Sequence, residues 1–356
     1  MTSNAVLDEA YQRLHSKGPE FGGDEEGNHG LSNHGPMAVE VMVRRGLDLD
    51  VHSWLDRYLD RLTELPGTNQ RITANNWRAA LGDARRIGDW TAYFTQQIAE
   101  QPWRQVLATW WPRLLPGIIA SATHGVIRVG HAVRALRAAD QDRVAATELG
   151  HGLAYWAARW RTLPGLAAPA GVLPTSAALA GVPRLAEQSG FIAHRLKGLA
   201  ELPEWTAALA ALHPAASPAD VSARLTDLVQ AAVLGYLTHG QANPVLLVHT
   251  ATAPNAVRHI LPVLPTSMWV PSFAAAWSAS AAITAAYAPA EPAPSETLPA
   301  PPVESDSAAE VLDQAARHGD EHVIKFVDTA LDVFDHTSDL GALAAALHAI
   351  RLIEPP

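Results

Sequence analysis

Between Met268 and Ala290 the chain carries no charged residue over a length that would span a bilayer. A membrane-crossing helix needs about 20 strongly apolar residues, with Leu, Ile and Val prominent. This stretch is Ala and Ser, interrupted by Pro271, and so reads as a helix buried inside protein. Such a helix must be surrounded by other apolar elements. Sustained period-two alternation and Asn-Gly hairpins are missing from the sequence, so those elements are expected to be helices. The fold class is therefore all-α, a single large, bundle-like, multi-helix domain over residues 1–356. With 48% hydrophobic residues, the chain can fill a substantial core.

The helical pattern can be followed along the chain. A first helix is expected from about Asn4 to His15, followed by a polar, Gly-rich segment from Gly18 to Gly30. Asn33 is a candidate N-cap, Pro36 sits in the first turn and Gly46 ends that helix. Helical pieces follow at Val51–Glu64 and Asp89–Gln101. Pro102 opens an aromatic helix carrying Trp103, Trp110 and Trp111, which stops at Pro116. Tryptophans grouped in this way bury a large area, and they can also wall an aromatic ligand.

The longest helix of the first half is expected over Gly117–Ala139, where Gly125, Gly130 and Ala132 permit close backbone approach. Asp142–Trp160 follows, with Glu148, His151, Tyr155 and Arg159 along one side. Leu163–Pro183 reads as a loop, and helices resume at Phe191–Ala211 and Ala219–Leu237. Ala288–Val303 is a Pro/Ala-rich spacer. The helices of residues 304–356 are too few to bury a core alone and are expected to fold back on the body.

A formal charge of −10 speaks against nucleic acid and anionic membranes as partners. Cysteine is absent, so a metal would need imidazole, carboxylate or a less usual ligand. Residues 1–20 lack a basic region followed by an apolar core, and a cytoplasmic location is expected. G-x-G-x-x-G after a strand, a Walker loop, G-x-S-x-G and H-E-x-x-H are all missing, which argues against a flavin or nucleotide on a Rossmann domain.

What stands out is histidine on several helices: His34, His124, His131, His249, His318 and His322. If Arg317–Phe326 is helical, His318, His322 and Lys325 share one face. His249 ends an apolar side, where a satisfied core histidine and a metal ligand are both open readings. Imidazole suits iron, zinc, copper and nickel, and inward histidines on facing helices are how bundles build metal sites. His124 and His131 lie two turns apart, roughly 10 Å of rise. Metal–nitrogen bonds are about 2 Å, so only one of the two is expected to touch a metal. A buried, deprotonated Lys325 could be carboxylated and offer oxygen.

Four stretches taken together, Asn33-His34-Gly35-Pro36-Met37, His124-Gly125-Val126-Ile127-Arg128-Val129-Gly130-His131, Val248-His249-Thr250 and Asp320-Glu321-His322-Val323-Ile324-Lys325, resemble the questin oxidase-like family over about Leu31–Phe334. The resemblance implies flavin-free, O₂-dependent ring opening of anthraquinone-like polyketides, by Baeyer–Villiger-like or dioxygenase-like chemistry. It implies a non-haem Fe(II) centre in a central histidine-lined cavity, with NADPH as a candidate reductant. Carried over by motif, the ligands are His34, His124, His249 and His322, with Lys325 as the carboxylated ligand. His131 and His318 are then the candidate acid–base residues, and Arg128 and Trp110 the substrate-binding ones. The family tends to place a second histidine where this chain has Arg128 and an aromatic where it has His131. Metal-free oxygenation using the histidines as base and oxyanion donors, and non-catalytic binding of aromatic metabolites, are the alternative readings.

Overall fold

The computed structural model describes residues 3–20, 32–47, 50–301 and 307–356, and most of these are helical. They divide into two compact units, Met1–Thr162 with His259–Pro265, and Leu163–Arg258 with Thr266–Pro356. That division falls inside what the sequence reads as one domain. Residues 21–30 of the Gly-rich segment with residue 31 after it, and 302–306 at the end of the spacer and just after it, lie outside the described residues.

The first unit is built from α1 (Ser3–His15), α2 (Gly35–Arg45), α3 (Val51–Leu59), α4 (Trp77–Ala80), α5 (Ile87–Glu100), α6 (Trp103–Leu114), α7 (His124–Ala138) and α8 (Arg143–Arg159). Local chemistry sets several of these ends. The Asp50 carboxylate accepts from the His52 and Ser53 amides to start α3, and Asp142 does the same for Val144 and Ala145 at α8. Gly46 takes a left-handed φ of 61° and closes α2 where expected. α8 packs on α5 and α7, while α2 lies against α1 and α7.

Several boundaries differ from the sequence reading: a helix over Thr175–Ala180 lies inside the expected loop Leu163–Pro183, the expected helix Phe191–Ala211 is split into Ile192–Gly198 and Trp205–Ala211, and that expected over Val51–Glu64 ends at Leu59. A two-stranded antiparallel sheet pairs β1 (Lys17–Glu20) with β2 (Leu62–Glu64); strands this short cannot show an alternation. The helix expected from Gly117 begins only at His124, because Ser121, Ala122 and Thr123 adopt positive φ of 46°, 52° and 71°. The segment around Arg317–Phe326 is not one helix. Gly319 at φ 81° breaks it, so His318 does not share the helix of His322 and Lys325.

α7 and α8 approach closely at Gly125, where an added Cβ would lie 2.7 Å from the Trp156 side chain and 2.9 Å from its Cα. Gly125→Ala is therefore expected to destabilise by about 1–3 kcal/mol through overpacking, despite its better helix propensity. Urea unfolding of the variant checks this, and an unchanged midpoint would show that the two helices can separate at little cost.

The second unit contains α9 (Thr175–Ala180), α10 (Ile192–Gly198), α11 (Trp205–Ala211), α12 (Pro218–His239), α13 (Pro244–Leu247), α14 (His249–Ile260), α15 (Trp269–Tyr287), α16 (Ser307–His318), α17 (Glu321–Thr337) and α18 (Leu340–Leu352). The last two residues of α14 belong to the first unit. α12 is the hub, touching α9, α15, α17 and α18. The uncharged stretch forms α15, buried on all sides from Ala276 to Ala288. Its serines satisfy themselves internally: Ser278 Oγ donates to the Ala274 carbonyl at 2.9 Å and Ser280 Oγ to that of Thr250 at 2.8 Å. No helix among the described residues is long and apolar enough to cross a membrane. The spacer is pinned to α12 where the Ala293 amide donates to the Thr238 carbonyl at 2.7 Å.

Candidate functional site

In the first unit, two buried imidazoles meet. His34 is the residue before α2 and His124 the first residue of α7, and their Nε2 atoms lie 2.8 Å apart. Both rings are held from behind. His34 Nδ1 donates to Glu20 Oε1 at 2.6 Å, and the same carboxylate accepts from Tyr58 Oη at 2.5 Å and from Arg61 at 3.2 Å. Tyr58 Oη in turn accepts the His34 amide at 2.5 Å. His124 Nδ1 donates to the Ser121 carbonyl, the first residue of the left-handed turn. Positive φ at three successive non-glycine residues is strained, and here it aims that carbonyl at the imidazole.

A carboxylate and a carbonyl can only accept, so each Nδ1 carries a proton, and in the neutral form each ring would present a lone pair at Nε2. Two lone pairs 2.8 Å apart repel. The arrangement is relieved by a cation between them, a shared proton or a metal ion. Two metal–nitrogen bonds of about 2.1 Å meeting at a right angle would place their nitrogens about 3 Å apart. The pair therefore fits a metal, and its anchors are those that orient metal-binding histidines.

The other residues singled out in this unit are committed elsewhere. Arg128 is buried in a two-point ion pair with Glu148, Nε to Oε1 at 2.5 Å and Nη2 to Oε2 at 3.0 Å. His131 Nδ1 donates to Glu40 Oε2 at 2.8 Å, and Arg134 Nε donates to Glu40 Oε1 at 2.9 Å. Burial alone would push the Glu40 carboxyl up, but Arg134 and His131 together hold it well below the carboxylate range. Trp110 packs edge-on against Trp77, Trp90, Tyr93 and Phe94, with ring centroids 4.9–5.5 Å apart.

In the second unit, His249 and His322 meet edge to face, their ring centroids 5.8 Å apart. His249, 1% exposed, donates Nδ1–H to the Leu246 carbonyl at 3.1 Å, which leaves Nε2 as its acceptor nitrogen. His322 Nδ1 lies 3.5 Å from Asp320 and 3.8 Å from Glu321. Ligand atoms of Asp320, Glu321 and His322 fall within 4.8 Å of one another, a mixed nitrogen and oxygen set that suits a divalent metal. Asp320 caps α17 through the His322 and Val323 amides at 2.8 and 3.1 Å. Burial opposes its charge, yet its bonds to His322 and the cap amides hold its pKa at about 2. Lys325 is 2% exposed on α17, one turn beyond His322. His318 is occupied: Nε2–H donates to the Ile353 carbonyl at 2.9 Å and Nδ1 accepts the Asp320 amide at 3.4 Å.

The sequence reading did not single out Glu20, Tyr58 or Ser121 for the site. Glu20 ends a four-residue strand and Ser121 precedes a helix start without a capping signal, so neither carried a local signature. Asp320 and Glu321 appeared only as parts of a motif.

No curated protein matches the chain. The model of a protein family described as questin oxidase-like matches residues 50–165, a stretch that contains Tyr58, Trp110, Ser121, His124, Arg128 and His131. His34, His249, His322 and Lys325, which carry the same resemblance in the other motifs, lie outside it. Over residues 50–165, about a third of its length, the chain is similar to the questin oxidase-like family.

Proposed function

We propose that the protein is an oxidoreductase that uses O₂ to oxidise an aromatic substrate at an imidazole-bound metal ion. The family likeness supports an oxidase, and the observation that carries the metal is the pair of opposed Nε2 lone pairs on His34 and His124. Iron(II) suits imidazole donors and would supply O₂ activation and a Lewis acid for a phenolate. Each unit has its own proposed ligands: His34 and His124 in the first, and His249, His322 and a carboxylated Lys325 in the second. Glu20 and the Ser121 carbonyl fix the tautomers that leave Nε2 as the donor. His131, oriented through Nδ1 by Glu40, is the proposed proton acceptor near neutral pH. The proposed substrate is a phenolic, anthraquinone-like polyketide, and the reaction oxidative ring opening.

The test is iron analysis of purified protein together with O₂ uptake on a hydroxylated anthraquinone. Stoichiometric iron is expected, with uptake that stops in chelator and returns with added Fe(II). Uptake unchanged in chelator by iron-free protein would replace this reading with metal-free oxygenation. No uptake in the iron-loaded protein, with binding retained, would favour a non-catalytic carrier of aromatic metabolites.

A further inference from the structure

Within the second unit, α9, α12, α13 and the end of α15 line a half-open cavity of about 250 Å³. Its walls are apolar, with Leu179, Ala231, Ala232, Leu234 and Leu247 prominent, and Arg184 lies at its edge. The hydroxyls that line it are largely engaged by the protein. Tyr236 Oη donates to the Pro244 carbonyl at 3.2 Å, Thr250 Oγ1 to that of Leu247 at 2.7 Å, and Thr238 Oγ1 to that of Gly235 at 3.2 Å. Arg184 differs. One of its terminal nitrogens donates to the Val182 carbonyl, but its buried Nε has no hydrogen-bond partner. No ion pair is formed by Arg184 among the described residues, and neither Asp nor Glu lines the cavity. Burial lowers the pKa of Arg184, and that of the neighbouring His239, which favours a neutral imidazole beside the one fixed positive charge.

A half-buried guanidinium whose buried Nε has no partner is better satisfied if an anionic group completes it. The mostly apolar lining favours an anionic group carried on an apolar body over a small hydrated ion. An apolar cavity of about 150 Å³ already accepts benzene, so this one has room for a second ring. We propose that the cavity is a binding site for a two-ring apolar molecule bearing one anionic oxygen group, a carboxylate or phenolate, with that group on Arg184 and the rings along α12. Arg offers the planar fork that such groups favour. None of the imidazoles proposed to hold the metal lines this cavity.

Calorimetric titration of the full-length protein with 1-naphthoate and with its neutral isostere 1-naphthamide tests the assignment. Naphthoate is expected to bind at least about tenfold more tightly, as a charged hydrogen bond exceeds a neutral one. Arg184→Met should remove that preference while naphthamide affinity is kept, and Arg184→Lys should restore part of it. Gly235 lies on α12 at the cavity wall, and a Cβ there meets no atom within 4 Å. Gly235→Leu should therefore fill the space and abolish binding of both compounds, and Leu is the better helix former. Circular dichroism confirms that each variant is folded. Naphthoate affinity unchanged by Arg184→Met or by Gly235→Leu would overturn the proposal, as would a wild type that binds neither compound. The titration is repeated in chelator on His124→Ala. Retained binding there places the ligand away from any metal, whereas its loss would assign naphthoate to the metal and overturn the cavity site.

Discussion

Replacing Arg128 by Met is expected to lower the unfolding free energy by about 3–5 kcal/mol, the range for stranding one charge of a buried pair. Glu148 is 1% exposed and accepts two hydrogen bonds from Arg128. Without the guanidinium its nearest cation is His15, whose Nε2 lies 3.4 Å away and must be protonated to help. The double variant Arg128→Met, Glu148→Leu should recover most of the loss, since an apolar pair of similar size is often as stable as the ion pair. Urea unfolding of the two variants measures both effects. A loss below about 1 kcal/mol in the single variant, the size of an exposed pair, would mean that water reaches Glu148.

The same pair sets an acid response. Burial by itself would raise the Glu148 pKa, but Arg128 and His15 hold it at about 2, below its ordinary 4.5. A depressed folded-state pKa stabilises above the unfolded value, and that stability is lost as pH falls through the folded one. The contribution is therefore expected in full above about pH 4.5 and to disappear toward pH 2. Glu148→Gln should flatten unfolding free energy across that window.

His124→Ala is expected to remove the metal from the first unit's imidazole pair, and Glu20→Gln to weaken it by about 10–100-fold, the usual penalty for losing the group behind a ligating histidine. The two substitutions separate two roles. Alanine deletes a donor, whereas glutamine keeps the shape of the carboxylate and can still accept from His34 and Tyr58, but without charge. Competition against a chromogenic chelator measures both. An unaltered affinity in Glu20→Gln would show that the carboxylate serves the fold through Tyr58 and Arg61, and not the ion.

Legibility from the sequence varied with how local the deciding interaction was. The ends of α2 and α8 could be read because Gly46 and Asp142 act within a few residues. The same holds for α6, bracketed by Pro102 and Pro116, and for α15, whose uncharged composition leaves burial as its only stable setting. The break between α16 and α17 was written in Gly319 and Asp320. It was obscured by the attractive four-residue spacing of His318 and His322. The left-handed turn at 121–123 had no such signature. Ser, Ala and Thr rarely adopt positive φ, and only surrounding structure can hold them there.

The chain by itself determined that this is an all-α protein, where most of its longer helices lie and which residues can act as imidazole donors, since these follow from periodicity, caps and residue chemistry. Tertiary structure decided which donors meet. His34 and His124 are 90 positions apart, and their opposition depends on α2 packing against α7. It also decided that Arg128 and His131 answer to Glu148 and Glu40, and that Glu20 stands behind His34. The physical reason is range: a cap or a turn acts over one to four residues, whereas burying a charge makes its partner obligatory at any distance along the chain.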